Sequence, residues 1–351
     1  MNLELLEELC NTQGLPGYEE KIQDISSREL LPYCDEVYED RMRNIIGVKK
    51  ATRPPENERA LKVMICAHTD EQGFRVVEVT SEGYIRLTGL GGPWKMPMIG
   101  SQIWIEGKEP VYGVLVPNSE QTTHIPNTEE LLVYTGCDPE WVKENVSFGD
   151  RASWNTKLTH FNNDVICARN FDDRLGVFCM LESAKLVKEH SVDLYFVASV
   201  QEEIGTRGAM VATQAVEPDI GIAVDGGCVK TPMHNEADSW TAELGKGAAI
   251  YHFDKLTIPS RPLVNFLHQV ADEKGIPAHA NWWGGTDAHQ LQKQGKGCHA
   301  TTIGAPSALM HWPSGLANKK DIQAVTDLLA EFSMAAHKMG ISPDPWVKRT
   351  N

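Results

Sequence analysis

Apolar positions recur along this chain in two rhythms, and the boundaries between them divide it into parts. Up to about Leu31 the spacing is that of amphipathic helix, broken by Gly14-Leu15-Pro16-Gly17. Asn44-Ile45-Ile46-Gly47-Val48 reads as a strand and Arg53-Pro54-Pro55-Glu56-Asn57 as a loop. The apolar run Leu61 to Ala67 is a further strand that leads directly into His68-Thr69-Asp70-Glu71. From about Gln72 to Val165 the pattern shortens. Phe74 to Val79, Tyr84 to Leu87, Gln102 to Ile105 and Val111 to Val116 alternate at close spacing, punctuated by Gly and Pro as in Gly89-Leu90-Gly91-Gly92-Pro93. That is the signature of a small all-β unit, a barrel, sandwich or PDZ-like domain. After Cys167 the longer rhythm returns. Helices are predicted over Asp172 to His190, Thr206 to Val216, Arg261 to Gly275 and Lys319 to Met339, and strands over Val192 to Val200 and Asp219 to Val224.

Alternating strands and helices predict an α/β fold of three layers, α/β/α, with a mostly parallel sheet covered on both faces. The expected organisation is one α/β domain from residues 1–71 and 166–351, interrupted by an inserted β-rich domain over 72–165.

Composition narrows the function classes. Of 351 residues, 41% are hydrophobic and 23% charged, which suits a globular protein with a substantial core. The formal net charge is -15, which argues against binding nucleic acid or an anionic membrane. No apolar run reaches membrane-spanning length. The acidic, helix-patterned start Met1 to Cys10 lacks the features of a secretion signal, so a cytoplasmic location is expected. Eight scattered cysteines with no C-x-x-C spacing point away from a disulfide framework or a structural zinc site.

The chemistry collects where strands end. The first strand is followed by His68-x-Asp70, the strand Val192 to Val200 by Gln201-Glu202-Glu203-Ile204-Gly205, and the strand Asp219 to Val224 by Asp225-Gly226-Gly227. Asn170-Phe171-Asp172-Asp173-Arg174 opens a helix, and His311 lies in a loop before Pro313. Each has a plain structural reading. Glu202-Glu203 could be a solvated acidic turn opening a helix, Asp172 a helix N-cap, and Asp225 a turn residue. Acids and imidazoles gathered on one rim of a sheet nevertheless require a compensating charge, and a divalent metal supplies it. Two histidines and three carboxylates suffice for two ions if one carboxylate bridges them. The remaining glutamate would then serve as a base, and Asp70 is spaced to orient the His68 ring.

Five segments, Ala67-His68-Thr69-Asp70-Glu71, Asn170-Phe171-Asp172-Asp173-Arg174-Leu175-Gly176, Val200-Gln201-Glu202-Glu203-Ile204-Gly205, Ala223-Val224-Asp225 and Gly285-Thr286-Asp287-Ala288, occur in an order that resembles the glutamyl/tetrahedral aminopeptidases. Members of this dinuclear metallopeptidase family are also sometimes labelled endoglucanase or cellulase. The resemblance covers nearly the whole chain. It implies two divalent ions per chain, zinc or cobalt before manganese, held by His68, Asp172, Glu203, Asp225 and His311, with Asp172 bridging. It implies Glu202 as general base to a metal-bridging hydroxide, Asp70 as orienter of His68, and Gly285, Thr286 and Asp287 beside the substrate. It further implies peptide substrates, and homo-oligomers in which dimers formed through the β insert assemble into a larger particle, often of twelve subunits. The segment Ala308-Leu309-Met310-His311-Trp312-Pro313-Ser314-Gly315 departs from the family's Arg-Tyr-x-His-Ser-x-x-Glu pattern, which bears on substrate preference. His289 is an additional imidazole near this set, read as a surface helix residue. Alternatives to the aminopeptidase are a metal-dependent deacylase or carboxypeptidase, a glycan hydrolase, and an inactive peptide-binding homologue.

Overall fold

The computed structural model describes residues 1–93, 98–119, 124–231 and 242–344. Trp94, which follows Gly91-Gly92-Pro93 in the insert, lies outside them. The centre of the fold is a sheet of 11 strands. Four of them run parallel in the order Asp193–Ser199, Lys62–His68, Ile220–Cys228, His299–Ala308. These strands are buried along almost their whole length, as strands covered on both faces must be. Their side chains alternate between two cores. Val63, Ile65, Leu194 and Phe196 face a large cluster with helices Leu3–Asn11, Glu20–Leu30, Phe171–Leu186, Arg261–Lys274 and Lys319–Ala335. Met64, Cys66, Tyr195 and Val197 face a smaller one with Arg207–Val216 and Ala288–Lys293. The expected parallel sheet is thus the part that carries the strand ends of interest. Its flanks are antiparallel: Glu36–Glu39 and Ile45–Lys49 on one side, Gly315–Asn318, Val165–Ala168 and Thr159–His160 on the other.

Helix Phe171–Leu186 explains the thickness of the larger core. It is apolar on every side, with Leu175, Val177, Phe178, Cys179, Met180 and Leu181 all buried. A helix of that composition must lie between layers, and this one packs against the sheet and against Leu3–Asn11 and Lys319–Ala335.

Between Lys62–His68 and Val165–Ala168 the chain forms a closed barrel of six strands, Gly73–Val79, Ile85–Leu90, Leu131–Tyr134, Pro110–Pro117, Gln102–Glu106 and Arg151–Trp154. Closure removes the exposed edges that a small sheet would present. Phe74 and Trp154 meet edge to face in its core with centroids 5.3 Å apart. Where the chain passes between sheet and barrel, a buried ionic network fixes the junction. Glu71 accepts from Arg169 Nε at 2.8 Å and from the Gly14 amide at 3.1 Å, and Arg174 Nη2 lies 3.5 Å away. Arg169 also donates to Gln13 Oε1 at 2.6 Å, which in turn accepts from Ser153 Oγ of the barrel at 2.9 Å. No helix among the described residues is long and apolar enough to cross a membrane.

Candidate metal centre

His68 ends its strand with its ring buried. Its Nε2 lies 3.0 Å from Asp172 Oδ1 and 4.0 Å from Glu202 Oε2. His311 approaches the other oxygen of the same carboxylate, with Nε2 3.2 Å from Asp172 Oδ2 and 3.8 Å from Glu203 Oε2. Asp172 therefore stands between two imidazoles, one on each oxygen. Ligand atoms of His68, Asp172 and Glu203 all lie within 4.8 Å of one another. Asp225 lines a cavity onto which Asp172 and Glu203 also open. It sits inside strand Ile220–Cys228, paired with Gly304, and not in a turn after the strand.

The backbone shows why these side chains are available. Asp172 does not cap the helix it opens; its φ and ψ are non-helical. Asp173 does the capping: its Oδ1 accepts from the Gly176 amide at 2.9 Å, while Oδ2 lies 3.3 Å from the His68 amide. The glutamate pair is not in a first helical turn either. Helix Arg207–Val216 starts beyond it, and the turn is bounded by Gln201 and Thr206, both in the left-handed region at φ 56° and 51°. The Gly205 and Thr206 amides both donate to Glu202 O at 2.8 Å.

Asp70 has a larger part than orienting one ring. Its Oδ1 accepts from the Glu202 amide at 2.9 Å and its Oδ2 from the Glu203 amide at 3.0 Å. The His68 Nδ1 meets the Asp70 backbone carbonyl at 3.2 Å and Oδ1 at 3.4 Å. One fully buried carboxylate thus positions both the histidine and the glutamate pair.

Three contacts from the insert were not read from the sequence. The Gln72 side-chain amide donates to Glu203 Oε1. His311 Nδ1 lies 3.1 Å from the Gly92 carbonyl, which fixes Nδ1 as the donor and turns Nε2 toward Asp172. Gly91, at φ 78°, comes so close that a Cβ there would be 3.0 Å from the Glu203 Cβ. The Gly-Gly pair at 91–92, taken as turn punctuation, was the signal for this approach.

The electrostatics fit a cation. Burial raises the carboxyls of Glu202, Glu203 and Asp225 well above the usual carboxylate range, and the charge of Asp172 raises Glu203 and Asp225 further. For Asp172 burial acts in the same direction, but His311 and His68 outweigh it and hold that carboxyl low. Among the described residues, the ion pairs of this cluster are to His68 and His311, and no lysine or arginine reaches it. Two imidazoles and three carboxylates without thiolate suit zinc, cobalt or manganese.

The centre opens into a cavity of about 860 Å³. Gly285 and Thr286 line it, but Asp287 does not. The Asp287 carboxylate is turned to the end of strand Asp193–Ser199, where Oδ2 accepts from Ser199 Oγ at 2.7 Å. A buried partner, Ser199, holds it outside the cavity lining where it was expected. His289, read as a surface residue, instead lines the cavity. Its Nδ1 donates to Thr286 O at 2.8 Å, and Nε2 lies 3.0 Å from Gln290 Nε2.

The sequence profile described as M42 glutamyl aminopeptidase matches residues 44–328. The chain belongs to that family. As an M42 member it is an enzyme, a metallopeptidase that hydrolyses peptide bonds. It is 30% identical to the lysyl aminopeptidase of Pyrococcus furiosus, over 97% of this chain and 99% of that one. Among solved M42-like structures, an aminopeptidase from the archaeon Desulfurococcus kamchatkensis is 26% identical, covers 94% of each chain and superposes with a TM-score of 0.89. The TET1 peptidase of Pyrococcus horikoshii, 24% identical over 95% of this chain and 99% of that one, shares the fold with a TM-score of 0.83. That protein can assemble into a tetrahedron or a large octahedral shell.

Proposed function

We propose that this chain is a two-metal aminopeptidase that removes N-terminal residues from peptides. The observation that carries this reading is the convergence of His68, Asp172 and Glu203, with His311 and Asp225 beside them, at one wall of a cavity that Glu202 also lines. His68, Asp172, Glu203, Asp225 and His311 would hold the ions. Bound divalent ions, zinc or cobalt before manganese, would polarise the scissile carbonyl and acidify the attacking water. Glu202 Oε2 takes the proton from that water and returns it to the leaving amine, a task suited to a carboxyl whose burial raises its proton affinity. Asp70 keeps Glu202 and Glu203 in register, and Gly285 and Thr286 flank the substrate backbone, with Asp287 bracing that turn from behind.

The same reading assigns residues 1–71 and 166–351 to the catalytic domain and 72–165 to contacts between copies. Tyr112, Val114 and Tyr134 form an exposed apolar patch on the barrel suited to that use. A homo-oligomer, up to a twelve-subunit particle, working in the cytoplasm is the corresponding quaternary form, and light scattering of the purified protein checks its size.

The deciding experiment is metal analysis with reactivation. Chelated protein should lose turnover of aminoacyl anilides and recover it at about two ions per chain. Glu202→Gln should retain its metal and lose about 10²–10⁴-fold in kcat. Full turnover in the variant, or saturation well below two ions, removes the mechanism. Cleavage of N-acetylated in preference to free-amine substrates would turn the reading to a deacylase.

A further inference from the structure

The cavity beyond the metal centre is walled by apolar side chains from three loops. Leu256 and Trp283 form one wall; Leu309, Met310 and Trp312, which bracket His311, form the other. Both walls sit close to the chemistry because glycines leave room for them. A Cβ on Gly285 would meet Leu256 Cδ1 at 2.7 Å, and one on Gly226, next to Asp225, would meet Met310 Sδ at 2.8 Å. The acids lining the cavity are Asp172, Glu202, Glu203 and Asp225, all members of the centre itself. Among the described residues no lysine or arginine lines it. Lys255 lies over the Trp283 ring, its Nζ 5.1 Å from the centroid, and is not one of the lining side chains. His289 has both ring nitrogens within hydrogen-bonding distance of protein atoms.

We infer that this apolar chamber is the subsite for the side chain of the N-terminal residue, and that it selects bulky aliphatic and aromatic residues. An acidic or basic side chain laid against these half-exposed walls would give up part of its water with no lysine or arginine among the described lining residues and no carboxylate outside the metal centre to pair with, whereas an apolar side chain gains from the contact. The preference differs from the glutamyl and lysyl names carried by the family and by the Pyrococcus furiosus relative. On the His311 side it originates in Leu309, Met310 and Trp312, which all line the cavity with apolar side chains. The inference rests on the aminopeptidase reading for what enters the chamber, but its binding selectivity can be measured separately.

The test uses the metal-loaded full-length protein and the hydroxamates of L-phenylalanine, L-leucine, L-glutamate and L-lysine, titrated by calorimetry. The shared head group cancels in the ratios. Phenylalanine and leucine hydroxamates should bind at least about tenfold more tightly than the other two. Equal or tighter binding of the glutamate or lysine compound, or no binding of any, overturns the subsite. Leu256 is 60% exposed, so Leu256→Glu should fold, and it should lower the phenylalanine-to-lysine ratio about tenfold. An unchanged ratio counts against the chamber as the side-chain subsite. Turnover of the four aminoacyl anilides completes the design. Ranking by hydroxamates with no turnover of any anilide rejects the peptidase reading and leaves the subsite; turnover without the ranking does the reverse.

Discussion

Asp70→Asn isolates the residue on which the geometry of the centre turns. Asp70 is fully buried and accepts the Glu202 and Glu203 amides on separate oxygens, at 2.9 and 3.0 Å. Asparagine keeps one acceptor and sets an NH₂ group against the other amide. One charge-assisted bond, worth about 1.5–3 kcal/mol, is lost, and a buried donor is left facing a donor. No water can replace the acceptor at that depth, so the turn must move. It is free to move because Glu202 and Glu203 lie between a strand and a helix, outside either. A displacement of about 1 Å at a reacting group costs on the order of 10²-fold in rate. The expected result is a fall of about 30–100-fold in kcat/KM at saturating metal, equivalent to about 2–3 kcal/mol. Metal affinity should weaken with it, because Glu203 is in the same turn. Calorimetric metal titration alongside steady-state kinetics reads both effects, and thermal unfolding shows whether the sheet core is intact. Wild-type kcat/KM and metal affinity within twofold in Asp70→Asn would refute the argument that this carboxylate positions the pair.

Other perturbations test the surrounding structure. Glu19 is buried, and burial first, then the charge of Asp70, lift its carboxyl from 4.5 to about 7. The folded state holds this proton to higher pH than the unfolded chain does. Its contribution to stability is therefore present below about pH 4.5 and is lost as pH rises to about 7, on the order of 3 kcal/mol. Glu19→Gln keeps the Oε1 acceptor for Gly17 and Gln201, so its unfolding free energy should flatten between pH 5 and 7 relative to wild type; parallel profiles would contradict this. Glu71→Gln leaves Arg169 and Arg174 buried without their counter-charge and should destabilise by about 3–5 kcal/mol in denaturant unfolding; an unchanged midpoint would show that the network is dispensable. Gly91→Ala forces a side chain into a left-handed backbone beside Glu203, and metal affinity should drop about tenfold or more with little change in the fold; unaltered affinity would mean that the insert does not press on the centre.

Much of the architecture was legible because it follows from local periodicity. The helix break at Gly14 to Gly17 appears between Leu3–Asn11 and Glu20–Leu30, and four of the six barrel strands lie where the short alternation placed them. Strand His299–Ala308 escaped notice although it is central in the sheet. Its His-Ala-Thr-Thr-Ile-Gly-Ala-Pro-Ser-Ala run has few large apolar side chains and contains a proline, so it resembles loop by composition. Leu131–Tyr134 and Arg151–Trp154 are too short for a pattern to emerge.

The candidate site divides along the same line. That His68, Asp172, Glu202, Glu203 and Asp225 stand near strand or helix ends could be read from residue order, because chain polarity puts the ends of parallel strands on one rim. Which acid of the Asp172-Asp173 pair faces the cavity came from the family resemblance and not from residue order. Asp173 turns inward to cap its helix and releases Asp172, and Asp287 turns toward Ser199 while His289 turns toward the cavity. Side-chain direction at such positions depends on partners far away in sequence: Asp172 is 104 residues from His68, and the carbonyl that orients His311 is 219 residues before it. Hydrophobic periodicity acts over a few residues and is written in the chain; hydrogen-bond partnership among buried polar groups is settled only when packing has removed water and left each donor a single acceptor.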